Sequence, residues 1–119
     1  MSEKDFVYLD TSLAFEQVGD EDAMNGMLEM LKESLTESIP QISQLLDEGQ
    51  IELANRLLHS IKGFIPIFCR SELCQHVVEV ELMSKNSQST TVKESYSALR
   101  PQLECLLTDV TAYLSSLPK

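Results

Sequence analysis

The C-terminal part of the chain carries an apolar repeat with the spacing of a helix that packs against other helices. Its positions follow one another at alternating steps of four and three residues: Val92, Tyr96, Leu99, Leu103, Leu106, Val110, Tyr113 and Leu117. Such a seam runs along one face of an α-helix and is buried only when neighbouring helices cover it. Thr91 and Glu94 are typical of a capping box at its start, and Pro101 inside it is expected to bend the helix. The repeat favours a helical bundle.

A second long helix is predicted over residues 20–47. Its apolar stripe consists of Met24, Leu28, Leu31, Leu35, Ile39, Ile42 and Leu46. Asp20 or Asp22 is suited to cap its start and Gly49 to end it, and Pro40 is expected to kink it.

Three further helices complete the predicted fold. Two are expected over about residues 50–69 and 71–85, with a polar loop at 86–91, and a short one over 10–16. No segment shows the strict alternation of a β-strand. We therefore predict an all-α fold, an antiparallel four-helix bundle with a short additional N-terminal helix, in a single domain over residues 1–119.

The composition excludes several classes of function. Acidic residues outnumber basic ones by 19 to 9 and the net charge is -10, so we expect no nucleic-acid partner. The longest apolar run, residues 64–69, contains Pro66 and is too short to span a membrane. The N-terminus lacks a signal-peptide pattern, and three cysteines without a framework of spacings favour reduced thiols and a cytoplasmic location. Neither glycine-rich phosphate-loop motif occurs, so an ATP site of either kind is not expected.

His59 lies at the centre of the outward face of the third helix. The residues predicted to face the core on the opposite side are Leu53, Ala54, Leu57, Ile61, Phe64, Ile65 and Phe68. Gly63 follows His59 by one turn, where a mid-helix glycine costs about 1 kcal/mol relative to alanine and leaves the imidazole accessible. Arg56, Lys62 and Arg70 are three of only nine basic residues and surround it. An exposed imidazole in a positive patch suits chemistry on an anionic group, although a plain surface histidine, a packing glycine and solvated basic residues remain the alternative.

These residues also resemble a known family. The sequence His59-Ser-Ile-Lys62-Gly63 is similar to the H-x-[LI]-K-G core of histidine-containing phosphotransfer (HPt) domains. Further similarities, which together cover about residues 9–82, are Leu9-Asp10, Gly19-Asp20, Pro40, Ala54 and Leu73. The five-residue motif alone is weak, but its position in the middle of a bundle helix makes it fairly specific.

The resemblance implies a four-helix bundle that shuttles phosphoryl groups between aspartates of receiver domains. His59 would accept the phosphoryl group through Nε2, Lys62 would neutralise its oxygens, and Gly63 would give the receiver access. The partners would be receiver domains of a hybrid sensor kinase, of a response regulator, or of both. The chain itself would be a monomer with no cofactor of its own and no ATP site, and Mg²⁺ would be held by the partner receiver.

Glu81 matches the family position of a Glu or Gln that orients the imidazole through Nδ1. The residue stands out independently, because it lies within the apolar arc of the fourth helix, where a carboxylate needs a partner. That arc is formed by Leu73, Cys74, Val77 and Val80. The alternative partner is Lys85, four residues later on the same helix.

A docking surface for the receiver is predicted around His59. Its residues are Asn55, Arg56, Pro66 and Arg70, with Met24 and Met27 from the second helix. Methionine suits a surface that accepts more than one partner, but both methionines are alternatively core residues. Compared with the family pattern, Phe64 and Ile65 replace small residues, Cys69 replaces a glycine, and Pro66 is unusual.

Two other functions are compatible with a helical bundle. One is a non-catalytic adaptor that binds a receiver or kinase without being phosphorylated, which the intact His59, Lys62 and Gly63 disfavour. The other is a metal- or thiol-dependent enzyme. The spacing of Cys69, Cys74 and His76 fits no common structural zinc pattern.

Overall fold

The structure of this protein is a computed structural model that describes residues 6–69, 71–86 and 88–117. Within these ranges its regular elements are five helices. The helices are α1 (Thr11–Val18), α2 (Glu21–Asp47), α3 (Ile51–Phe68), α4 (Ser71–Asn86) and α5 (Ser89–Ser115). The only β pairing within those three ranges is an isolated bridge between Leu9 and Cys69. The predicted all-α class is confirmed.

The four long helices form a bundle in which α2 packs on α3 and α5, and α4 packs on α3 and α5. Lys93 Nζ near the start of α5 lies 2.7 Å from Asp47 Oδ1 at the end of α2. Near the other end, the Tyr113 hydroxyl donates to Asn25 Oδ1 over 3.0 Å. The contacts run in opposite order along the two helices, so α2 and α5 are antiparallel. The short helix α1 packs against α2 and α3.

The apolar seams of α2 and α5 face the core, as predicted. Every residue of the α2 stripe is buried, and so is the α5 seam from Val92 to Val110, while Tyr113 and Leu117 are half-buried. Tyr96 is buried among them, and its hydroxyl donates to the backbone oxygen of Ile39 over 2.8 Å. This bond satisfies the one polar group that the aromatic ring brings into the core.

The buried face of α3 differs from the prediction. Leu58 is fully buried, whereas Leu57 is half-buried and Leu53 is 43% exposed. The reason is that α4 packs along the side of α3 that carries Asn55 and Lys62, which extends the buried arc towards Leu58. Leu53 lies in the first turn, at the open edge of the helix.

The capping predictions are correct for α2 and wrong for α5. Asp20 Oδ2 accepts the backbone N–H of Ala23 over 3.0 Å, so Asp20 caps α2. Helix α5 begins at Ser89, and the N-cap is Gln88 rather than Thr91. The backbone N–H of Val92 already donates to the Gln88 oxygen over 3.1 Å, which places Thr91 inside the helix. The loop predicted over residues 86–91 therefore ends earlier than expected, because α5 already begins at Ser89.

The segment before α1 is attached to α5 by one carboxylate. Asp109 Oδ2 accepts the backbone N–H groups of Val7 (3.0 Å), Tyr8 (2.8 Å) and Leu9 (3.2 Å). The Asp109 side chain is only 6% exposed. No pattern in the sequence indicates this contact, since its partners lie about a hundred residues apart in the chain.

None of the helices in the described part of the chain combines the length and the apolar character that crossing a membrane requires.

Candidate functional site

His59 lies on the outward face of α3 with its side chain 64% exposed. Its Nδ1 is 3.6 Å from Oε2 of Glu81 on α4. That distance is longer than a hydrogen bond, although contacts of this kind often tighten when a reaction partner binds. Within the described residues no hydrogen-bond partner contacts Nε2. The ring therefore offers Nε2 to an incoming group.

Glu81 is a buried carboxylate surrounded by donors. Its side chain has 0% exposure. Oε1 accepts from Lys62 Nζ over 3.1 Å, and Oε2 accepts from Asn55 Nδ2 over 3.1 Å. Lys85 Nζ lies 3.3 Å from Oε2. The two partners considered for Glu81 from the sequence, His59 and Lys85, thus lie beside the same oxygen.

The surroundings of Glu81 decide its protonation state. Burial disfavours the charged form and by itself would raise the pKa of Glu81. Hydrogen bonds from Lys62, Asn55 and Lys85 outweigh this effect, so the pKa lies below its usual value. Glu81 is therefore a carboxylate at neutral pH and accepts hydrogen bonds only.

Gly63 is exposed one turn after His59. A Cβ atom added at Gly63 would meet nothing within 4 Å in the described structure. The alternative of a glycine required by packing thus finds no support among the described neighbours. A glycine in the middle of a helix lowers helix stability relative to alanine, and no packing contact among the described residues requires one at this position of α3.

Basic side chains surround His59 in this acidic protein. Arg56 is exposed on α3, and Lys62 is 30% exposed. Lys85, 47% exposed on α4, adds a third cation, which the sequence pattern predicted only as a partner of Glu81. Pro66 is exposed on the same helix as Arg56. The predicted docking residue Arg70 lies outside the described residues.

Asn55 does not simply face solvent, as the helical-wheel position suggested. It is half-buried, and Nδ2 reaches Oε2 of Glu81 over 3.1 Å and Oγ of Ser84 over 2.6 Å. The position of α4 beside α3 determines this orientation, and a single helix pattern does not contain it. Asn55 still borders an open polar pocket of about 320 Å³ together with Arg56 and Lys85.

The two predicted docking methionines differ. Met24 is 3% exposed and belongs to the core, so the docking role predicted for it is wrong. It lies on the seam of α2 that α5 and α3 cover. Met27 is half-buried and borders an apolar groove of about 270 Å³ between α2 and α3. The groove is lined by Met27, Met30, Leu31, Ser34, Phe64 and Phe68.

Met30 also borders this groove and is 69% exposed, but it was not among the docking residues predicted from the sequence. The available signal was its position off the α2 stripe, where an apolar residue has no core to enter. An exposed methionine beside an apolar groove is a feature of adaptable binding surfaces.

Two of the cysteines, Cys69 and Cys74, and the second histidine have ordinary structural contacts. His76 Nδ1 lies 2.7 Å from Oε1 of Gln102, and Cys74 Sγ lies 3.7 Å from the backbone oxygen of Cys69. Burial raises the pKa of the Cys69 and Cys74 thiols, which keeps both protonated at neutral pH. No three His, Cys, Asp or Glu side chains within the described ranges are grouped so that they would hold a metal ion.

Comparison with known proteins gave one result. The sequence model of the Hpt domain family matches residues 26–114, from the first turns of α2 almost to the end of α5. Neither curated proteins nor solved structures gave a match. Hpt domains are helical bundles that carry phosphoryl groups on histidine in phosphorelays and interact with receiver domains. Because the match covers most of the chain and includes the helices that present His59 and Glu81, this protein belongs to the Hpt domain family.

Proposed function

We propose that this protein is a histidine phosphocarrier that takes a phosphoryl group from an aspartate of one receiver domain and passes it to an aspartate of another. His59 is the acceptor, through Nε2. The observation that carries the proposal is the exposed imidazole whose Nδ1 lies 3.6 Å from a buried carboxylate, in a member of the Hpt domain family. The protein acts as a carrier between receivers and does not use ATP.

Glu81 makes Nε2 the reactive nitrogen. A neutral imidazole carries a proton on one nitrogen and a lone pair on the other. An acceptor-only carboxylate beside Nδ1 favours the Nδ1–H tautomer, which leaves the lone pair on Nε2. That lone pair attacks the phosphorus of the receiver's aspartyl phosphate. The N–P bond forms as the P–O bond to the aspartate breaks, and the aspartate leaves as a carboxylate with the bonding electrons.

The ring becomes positively charged during this step, because Nδ1 keeps its proton while Nε2 bonds to phosphorus. The Glu81 carboxylate stabilises that charge from a position fixed in advance, which is the arrangement that lowers a reaction barrier most. In the reverse direction, an aspartate of the second receiver attacks the phosphorus and Nε2 leaves as the neutral imidazole nitrogen.

Lys62 neutralises the phosphoryl oxygens. Its Nζ contacts Glu81 Oε1 over 3.1 Å, and its side chain is 30% exposed. A flexible four-carbon stem allows the ammonium to turn from the carboxylate towards an anion on His59. The Mg²⁺ that phosphoryl transfer requires is supplied by the receiver, and this protein adds no cofactor.

The receiver docks over Gly63. Arg56 and Pro66 are exposed around this point, and the apolar groove beside Met27 and Met30 continues the surface towards α2. The basic residues offset the unfavourable long-range field of a chain with net charge -10 when an acidic receiver pocket approaches. The carrier functions as a monomer in the cytoplasm, where its three free cysteines stay reduced.

A phosphotransfer assay tests the proposal. The protein is incubated with a phosphorylated receiver or a small phosphodonor, and acid-labile, base-stable phosphate is measured. Wild-type protein and His76→Gln should be labelled, while His59→Gln should fold normally and take up no label, because the His59 side chain faces solvent. Label retained by His59→Gln would contradict the assignment. A wild-type protein that binds the receiver without becoming labelled would instead identify a non-catalytic adaptor.

A further inference from the structure

Asn55 lies one turn before His59 on α3 and contacts the carboxylate that faces the imidazole. We infer that Asn55 is a positioning residue, which holds Glu81 so that Oε2 faces Nδ1 of His59. The inference rests on the proposed function, because the orientation of the imidazole matters for transfer only if His59 is the acceptor.

The contacts of Asn55 hold both the side chain and the backbone of Glu81. Nδ2 lies 3.1 Å from Oε2 and 3.3 Å from the backbone oxygen of Glu81. It also lies 2.6 Å from Oγ of Ser84, which in turn donates to the same backbone oxygen over 2.6 Å. The carboxylate oxygen nearest His59 is thus tied to the α4 backbone through one short side chain from α3.

The other donors to Glu81 are less suited to fix its orientation. Lys62 and Lys85 are 30% and 47% exposed, and each loses more conformational freedom on ordering than a short amide side chain. Both are also cations, so a phosphoryl group arriving on His59 competes with Glu81 for them. Asn55 is neutral and half-buried. Among the donors that the described residues provide, it is the one that an incoming anion leaves in place.

The chemical consequence is a choice of tautomer. A carboxylate oxygen has about two acceptor directions. Oε2 accepts from Asn55 in one of them, and Nδ1–H of His59 shares the other with Lys85 Nζ, which lies 3.3 Å away. Without Asn55 the carboxylate is free to rotate towards the two lysines. The His59 ring then loses its preferred acceptor and distributes between both tautomers, as an isolated surface imidazole does.

NMR spectroscopy of the two imidazoles measures this directly. Uniformly ¹⁵N-labelled protein is studied at a pH at which His59 is neutral, and His76→Gln assigns the signals, since the chain has only two histidines. Wild-type His59 should be mainly the Nδ1–H tautomer. In Asn55→Leu and Asn55→Ala the Nε2–H tautomer should increase, and phosphotransfer should slow by about two- to tenfold, the equivalent of one hydrogen bond.

Asn25→Leu is the matched control. Asn25 is also half-buried and also joins two helices, through the 3.0 Å bond from the Tyr113 hydroxyl. The control should lower the melting temperature about as much as the Asn55 variants and leave the His59 tautomer unchanged. A merely structural role for Asn55 predicts the same unchanged tautomer in all of these variants.

Several outcomes would overturn the inference. A wild-type His59 that is mainly Nε2–H would do so without any variant, and an unchanged tautomer in folded Asn55 variants would do so as well. If neither variant folds, the native protein is used instead, and the NMR signals of the Asn55 side-chain amide protons are followed while Glu81 is titrated. These protons are hydrogen-bonded to Oε2, so their signals must shift when Glu81 changes its charge. If His59 is labelled by phosphate but its tautomer does not depend on Asn55, this inference is wrong and the proposed function stands. If His59 is not labelled but its tautomer depends on Asn55, the proposed function is wrong and the role of Asn55 in positioning Glu81 stands.

Discussion

Among the residues that the structure describes, two carboxylates are removed from solvent, and their surroundings are opposite in kind. Glu81 on α4 is 0% exposed and Asp109 on α5 is 6% exposed. Glu81 takes its hydrogen bonds from side chains, of which two are charged and partly exposed. Asp109 takes three hydrogen bonds from consecutive backbone N–H groups of the segment before α1.

The difference shows how a buried charge is used in each place. Backbone donors do not rotate away, so Asp109 has a single arrangement and joins the N-terminal segment to the bundle. Lysine donors are able to exchange one anion for another, so the charge of Glu81 is available to a neighbouring imidazole that changes its own charge. Burial of a carboxylate thus indicates nothing about function until its donors are known.

The largest effect on stability is expected at Asp109. Asp109→Ala leaves three backbone N–H groups without their acceptor and should lower the free energy of unfolding by about 3 kcal/mol. Glu81→Ala should cost less, because Lys62 and Lys85 can turn into water. Urea unfolding at pH 7 measures both. A loss at Asp109 no greater than that at Glu81 would remove the distinction between the two carboxylates.

For the rate of phosphotransfer, substitution of Glu81 should have a larger effect than substitution of Asp109. Glu81→Gln keeps the size of the side chain and removes the charge that stabilises the imidazolium, so the transfer rate should fall about tenfold, or about 1.4 kcal/mol in the barrier. Asp109→Asn is the matched amide substitution and should transfer at nearly the wild-type rate. Equal rates in the two variants would show that Glu81 has only a structural role.

A smaller effect is expected in the pH dependence of stability. The pKa of Glu81 in the folded protein lies below its ordinary value of 4.5. Its ionised form therefore contributes its full stabilisation above pH 4.5, and the contribution is lost as the pH falls through the lower folded-state pKa. The difference in unfolding free energy between wild type and Glu81→Gln should be largest near neutral pH and narrow in acid. A difference that widens as the pH falls would contradict the ionised state assigned to Glu81.

The smallest effect is expected at the glycine beside His59. Gly63→Ala should raise the free energy of unfolding by about 0.5–1 kcal/mol, since the added Cβ meets nothing within 4 Å. Gly26→Ala is a matched control in α2 with the same open surroundings. Thermal melts should show a similar gain for both, and only the Gly63 variant should slow phosphotransfer. Equal transfer in the two variants would argue that the receiver docks elsewhere.

Helix order, and the residues that α2 and α5 bury, were predictable from the sequence. Their apolar residues repeat with the period of a helix, and the period alone specifies which side is covered. The exposed position of His59 and the open turn at Gly63 follow from the same geometry within α3. The same period places Met24 on the apolar stripe of α2, and this position alone predicts that Met24 is a core residue and not a docking residue.

The contacts between helices had to come from the tertiary structure. Leu58 is buried instead of Leu57, and Asn55 turns towards Glu81, because α4 lies against that particular side of α3. Asp109 finds its donors about a hundred residues away. The sequence by itself determined the faces of the helices, because periodicity is a local property of the chain. Only the tertiary structure decided which polar groups meet across those faces, because the rotation and spacing of packed helices depend on the whole core at once.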